Sequence, residues 1–213
     1  DGAVDPDRLL QEADHAVFRA KAGGRGRVEV FAPSLRAEVE RRAAVESAIV
    51  AALRQGSASV QVSPIVDLST GGPAGQRLDL VVSGPDGERW SRGELLPLTR
   101  GTDKLCDLDS WMLRTGVLGH AGDGWLMVPV TGRHLAQGTV VADVAATLEG
   151  GLAAERLMLL VPTDDLGNVR VLDTLRQLRT LGVRVCADSF GADDSGTDRW
   201  ARAPLDYVRL DRR

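Results

Sequence analysis

The chain has 213 residues, 26 of them Lys or Arg and 30 Asp or Glu, for a formal charge of −4. Hydrophobic residues make up 43% and charged residues 26%, which is ordinary globular usage, and the acidic balance argues against a nucleic-acid module built on a basic stripe. No apolar run approaches the roughly 18 residues of a membrane span, and no basic-then-apolar leader opens the sequence, so a cytoplasmic protein with no membrane contact from this segment is expected.

Cys106 and Cys186 stand far apart and in no zinc-like spacing, while His15, His120 and His134 lack the i, i+4 pairing of a helical metal site. Both cysteines read as reduced, buried thiols.

The first element reads as a helix, with an apolar stripe of Leu9, Leu10, Ala13, Ala16, Val17 and Ala20 that Gly23 and Gly24 end. Residues Arg27 to Phe31 alternate apolar with charged, as a half-buried strand does. A longer helix follows from about Ser34, a plausible cap, to Leu53, with Leu35, Val39, Val45, Ile49 and Leu53 along one side. It reads either as a linker between two units or as the first helix of the next domain.

From Val60 onward strand-like runs recur: Val60 to Val66, Leu78 to Val82, Trp125 to Val130, Leu157 to Val161, Val183 to Ala187 and Tyr207 to Leu210. Helical stretches fall between the later ones, over Leu105 to Val117, His134 to Leu148 and Val169 to Leu181. Alternation of this kind predicts an α/β fold with a parallel sheet, either open or most of a (β/α) barrel. Gly71 to Gly75 and Gly84 to Gly87 read as turns.

Several stretches resemble a bacterial signalling family in order and spacing. Ala13 to Val28 is similar to the closing helix and strand of a GGDEF, or diguanylate cyclase, domain. Ser63 to Thr70 resembles the opening strand of an EAL domain, the cyclic-di-GMP phosphodiesterase fold. Val128 to Leu135, Ala187 to Gly191 and Pro204 to Asp211 resemble three later segments of that domain. The resemblance implies a GGDEF C-terminal tail over residues 1–32, a linker helix over 33–56, and a partial TIM-like barrel of the EAL type over 57–213, lacking counterparts of the family's seventh and eighth strands.

In such a barrel two divalent cations, Mg²⁺ or Mn²⁺, would need hard oxygen ligands at the C-terminal strand ends. The resemblance places the motif that names the family on Leu78 to Val82, with Leu78 in the place of its metal-binding Glu and Val82 in the place of its Arg; a shift by one residue would put Asp79 in the Glu place. The third-strand Asn falls on Pro129, and the fourth-strand Glu-x-Thr-Glu on Leu160 to Thr163. Of the fifth-strand Asp pair Asp188 remains and Ser189 replaces the second, while the sixth-strand Lys falls on Arg209, followed by Asp211. Asp188, Arg209 and Asp211 are therefore the vestigial site positions, with no catalytic residue, no metal and no cofactor expected.

Each has a plain alternative: Asp188 as a turn cap, and Arg209 with Asp211 as an ion pair or a solvated strand end. Cys186 should point the same way as Asp188 and reads as core. Lys21 and Arg25 read as a solvated helix end, and the acidic stretch Asp193 to Asp198 as a polar connection. The expected function is a catalytically inactive EAL-like regulator acting through a protein partner or self-association. The alternatives are a cyclic-di-GMP receptor that binds without hydrolysis, and a metal-dependent cyclic-di-GMP phosphodiesterase; weak cyclic-di-GMP binding is a further partner expectation.

Overall fold

The computed structural model describes residues 33–84, 87–120, 124–191 and 202–211, together with residues 10, 13, 14, 16–18, 20 and 21. The chain divides into two compact units, Asp1–Ser47 and Ala48–Arg213. In the first, the described residues before Pro33 are helical, as the apolar stripe predicts, and Lys21 is exposed. The strand expected over Arg27 to Phe31, and Arg25, lie outside the described residues. Helix α1, Pro33–Gln55, places Ser34 inside the helix rather than at its cap. Proline tolerates the first helical turn, where its missing N–H would have no partner.

The second unit is built on a seven-stranded sheet in the order β1-β2-β4-β5-β6-β7, with β3 added on β2. β1 (Ala58–Val66) runs antiparallel to β2 (Pro73–Ser83), as does the short β3 (Arg89–Ser91). From β2 on, β4 (Trp125–Pro129), β5 (Leu157–Val161), β6 (Arg184–Phe190) and β7 (Tyr207–Leu210) pair in parallel. All five residues of β5 are buried, as a strand covered on both faces requires.

Strand parity sorts the two faces. Leu78, Leu80 and Val82, with Leu126, Val128, Leu159, Val161, Val185 and Ala187, form one buried apolar layer. The other face carries Arg77, Asp79, Pro129, Leu160 and Asp188, which line a cavity near the strand C-termini. At the opposite end that face is filled by Trp125 and Tyr207, ring centroids 5.2 Å apart, with the Arg184 guanidinium 5.0 Å over the Trp125 ring.

Two expected helices are each broken. The run Leu105 to Val117 becomes α3 (Lys104–Trp111) followed by a π-turn over Met112–Gly116, where Val117 N–H donates to Met112 O at 2.9 Å. The run His134 to Leu148 becomes α4 (Gly132–Gln137) and α5 (Val140–Glu149), separated by Gly138 at φ 77°, a left-handed turn that glycine adopts freely. Helix α6 (Val169–Thr180) matches its pattern and buries Val171, Leu175 and Leu178. Two further elements, β3 and α2 (Arg92–Leu98), were not expected from the pattern of apolar residues. Their local signal is the Ser91-x-x-Glu94 spacing: Ser91 N–H and Oγ both donate to Glu94 Oε2, at 2.8 and 2.7 Å.

Gly75, read as a turn residue, lies inside β2. It sits against Trp125 of β4, and a Cβ there would fall 2.4 Å from Trp125 O. The neighbour is backbone, so it cannot swing aside. Gly75→Ala is therefore expected to cost about 1–3 kcal/mol in denaturant unfolding, through overpacking; an unchanged midpoint would show that the two strands part freely.

Candidate functional site

Loops after the strand C-termini close a cavity of about 720 Å³. Its charged lining is Arg77, Arg92, Arg100 and Arg133 against Asp79, Asp164, Asp165 and Asp188. Apolar groups share it: Leu96, Leu105, Pro129, Val130, Leu160 and Pro162.

Parity on β2 corrects the motif placement. Leu78 and Val82 are both 0% exposed and lie in the opposite layer, so neither faces the cavity. Arg77 and Asp79 do, and the one-residue shift that brings Asp79 to the site is the one the strand geometry supports. Arg77 NH2 donates to Asp79 Oδ1 at 2.9 Å, pairing neighbours on one strand face. Pro129 and Leu160 line the cavity as expected, at the ends of β4 and β5. Thr163 opens a 3₁₀ turn, and its successors Asp164 and Asp165 reach the cavity.

The structure brings Asp188 and Arg209 together. Arg209 Nε donates to Asp188 Oδ1 at 2.6 Å, and NH2 closes on the same oxygen. The arginine thus has a partner on β6. Asp211 receives a different position: its backbone N–H donates to Phe190 O at 3.0 Å. Cys186 packs with Met158 and Leu160. Burial, and then the Asp188 charge, push its thiol up to about 11, so it stays protonated at neutral pH. Burial likewise raises the Cys106 thiol, although its contact with Thr131 Oγ1 opposes the shift. The acidic stretch Asp193 to Asp198 lies outside the described residues. Among those described, no three His, Cys, Asp or Glu side chains gather as metal ligands would.

Behind the wall lies a buried polar network that the sequence did not disclose. Asp109, with a fully buried side chain, is gripped by both arms of Arg92 and accepts from Thr131 N–H at 2.7 Å. His134 is 0% exposed, with Nδ1 3.7 Å from Asp109 Oδ2 and Nε2 3.1 Å from Asp143 Oδ2. Asp143 also accepts from Ser110 Oγ and Arg114 Nε, both at 2.5 Å. These partners come from α2, α3, the π-turn, α4 and α5, so no local pattern announces them. The network fixes α2, α3, α4 and α5 to one another around the cavity wall.

Burial pushes the Asp109 carboxyl up, but Arg92 beside it and the hydrogen bonds it accepts outweigh that and hold it below the ordinary value. Its contribution to stability is therefore present above the unfolded carboxyl pKa of about 3.9 and lost as pH falls through the lower folded value. Arg92→Met leaves a buried carboxylate unpaired and is expected to cost about 3 kcal/mol at neutral pH. Urea unfolding should show that deficit shrinking toward acid pH, where Asp109 takes a proton; a pH-independent deficit would assign Arg92 to packing alone.

Asp165 behaves in the opposite sense. Burial, then the neighbouring Asp164 charge, raise its carboxyl. Its ionised form is thus disfavoured in the fold, and the penalty is relieved as pH falls through the raised value. Asp165→Asn should raise the melting temperature at neutral pH, with the gain fading in acid. A lower melting temperature would mean that the carboxylate holds a partner.

Comparison with known proteins places this geometry. The EAL domain family matches residues 46–213, starting within α1. The cyclic di-GMP phosphodiesterase NbdA of Pseudomonas aeruginosa is 30% identical over 224 residues, covering 97% of this chain and 28% of that protein. The chain spans only 26–36% of the length of the curated relatives it matches. The EAL enzyme Bd1971, in its cAMP- and cyclic-di-GMP-bound form, superposes with a TM-score of 0.73 at 18% identity, over 98% of this chain and 57% of that one. The Vibrio cholerae LapD S helix-GGDEF-EAL structure superposes with a TM-score of 0.70 at 15% identity, over 98% and 52%. These likenesses share an α/β, TIM-barrel-like fold, and the match over residues 46–213 makes this chain a member of the EAL domain family.

Proposed function

We propose that this chain is a catalytically silent EAL module of cyclic-di-GMP signalling, a cytoplasmic regulator that works through a protein partner or its own copies. The observation that carries the reading is the pair of side chains that β4 and β5 deliver to the cavity, Pro129 and Leu160, neither of which has an oxygen to offer. Two-cation hydrolysis of a phosphodiester needs several hard oxygen ligands converging at the strand ends. Asp79 within β2 and Asp188 on β6 are each already paired with an arginine, and the other two carboxylates of the lining, Asp164 and Asp165, follow β5 in a 3₁₀ turn, where burial and the Asp164 charge disfavour ionised Asp165. The residues present do not fit a two-cation centre.

Other nucleophiles fare no better. Both thiols are held protonated, and the one buried histidine among the described residues is enclosed by Asp109 and Asp143. The cyclic-di-GMP context draws support from the name of NbdA and from the ligand named for Bd1971. The reading of residues 1–32 as a GGDEF tail draws support from the likeness to LapD, which runs over 98% of this chain.

Incubated with cyclic-di-GMP and Mg²⁺ or Mn²⁺, the purified chain is predicted to form no product, with the Asp188→Ala variant indistinguishable from it. Metal-stimulated turnover that Asp188→Ala abolishes would make the protein a phosphodiesterase. Saturable dinucleotide binding without turnover, read by calorimetry, would make it a receptor instead.

A further inference from the structure

With no dication expected in the cavity, the arginines beside two of its four carboxylates take on a role of their own. Asp79 and Asp188 both line the cavity, and their side chains are only 25% and 27% exposed. Each has an arginine of the same chain beside it, Arg77 and Arg209.

The pairing is built into the backbone. Arg77 and Asp79 stand two apart on β2, so one strand face presents both. On β6 the ladder to β7 shifts register: Ala187 faces Val208 and Phe190 faces Leu210. Asp188 and Ser189 therefore lie together opposite Arg209, a bulge that re-aims side chains. Ser189 takes φ 58°, a left-handed conformation that costs a non-glycine residue energy, and such outliers concentrate where a site constrains the chain. Its Oγ donates to Asp188 Oδ1 at 3.2 Å, joining the Arg209 guanidinium on that oxygen. One carboxylate oxygen thus has its donors supplied from within.

We propose that Arg209 and Arg77 are built-in counter-cations of the cavity wall: their guanidinium groups hold the Asp188 and Asp79 side chains in the fixed position that a bound dication would otherwise impose. The two carboxylates then keep one arrangement whatever the metal supply. Arginine suits the task because it stays charged at every physiological pH and forks onto a carboxylate. A dication approaching to the about 2.0–2.6 Å of oxygen coordination would meet the guanidinium charge already there. This inference rests on the catalytically silent reading and extends it to how the site is kept intact.

The test is a double-mutant cycle on the full chain, with metal sensitivity as a second readout. Arg209→Met should lower the melting temperature by several degrees. Adding Asp188→Asn to it should restore most of the loss, because the unpaired carboxylate is the source of the strain. Arg209→Lys, which keeps the charge, should lose less than Arg209→Met. The native chain's melting temperature should not move with EDTA or with millimolar Mn²⁺. If Arg209→Met alone does not fold, recovery of folding in the double variant supports the pairing equally. Additive losses in the cycle, failure of the double variant to recover, or stabilisation of the native chain by Mn²⁺ would each overturn the inference. Additive losses without turnover would leave the silent reading standing, whereas Mn²⁺-dependent hydrolysis would remove that reading whatever the cycle gives.

Discussion

Two strands of this sheet, β2 and β6, carry a carboxylate on the face toward the cavity, and each of these carboxylates is met by a guanidinium of the same chain. That pairing constrains everything the cavity can do. A barrel mouth is where strand ends converge and where side chains from several strands meet a ligand. Here two of the four lining carboxylates are matched in advance, Asp79 with Arg77 and Asp188 with Arg209, while Asp164 and Asp165 follow β5. Between them β4 and β5 contribute Pro129 and Leu160, so the middle of the wall is apolar.

A second, deeper network gives the wall its rigidity. Arg92, at the start of α2, lines the cavity and grips Asp109 of α3. Thr131 links the same carboxylate to the start of α4, and His134 carries the contact on to Asp143 of α5. Ionic groups buried this way contribute little net stability, since desolvation offsets much of their attraction. Their effect is on arrangement: removal of any one partner strands another in a dry environment. The network ties four helices of the cavity wall to one another.

Much of the fold was legible in the sequence because it depends on short-range pattern. All six longer strands lie where apolar runs placed them, and the LMLLV run of β5 announced a strand buried on both faces. The helix breaks were less legible. Gly138 carries a left-handed turn inside a helical pattern, and the π-turn after α3 leaves no compositional mark. On β2 the apolar layer of Leu78, Leu80 and Val82 drew the motif onto the wrong parity, since the polar Arg77 and Asp79 alternate with it on the cavity face. The site was legible only in part. Asp188 and Arg209 stand out by resemblance alone, but their mutual pairing depends on a bulge that places two residues opposite one. Arg92, Asp109, His134 and Asp143 carry no local signal, because tertiary packing alone assembles them.

Crystals of the chain grown in Mn²⁺ and measured at the manganese absorption edge would probe the arginine–aspartate pairing at its source. No anomalous peak is predicted at the strand ends, with Arg77 and Arg209 still closed on Asp79 and Asp188. A pair of peaks ligated by those aspartates, with the arginines turned away, would contradict it.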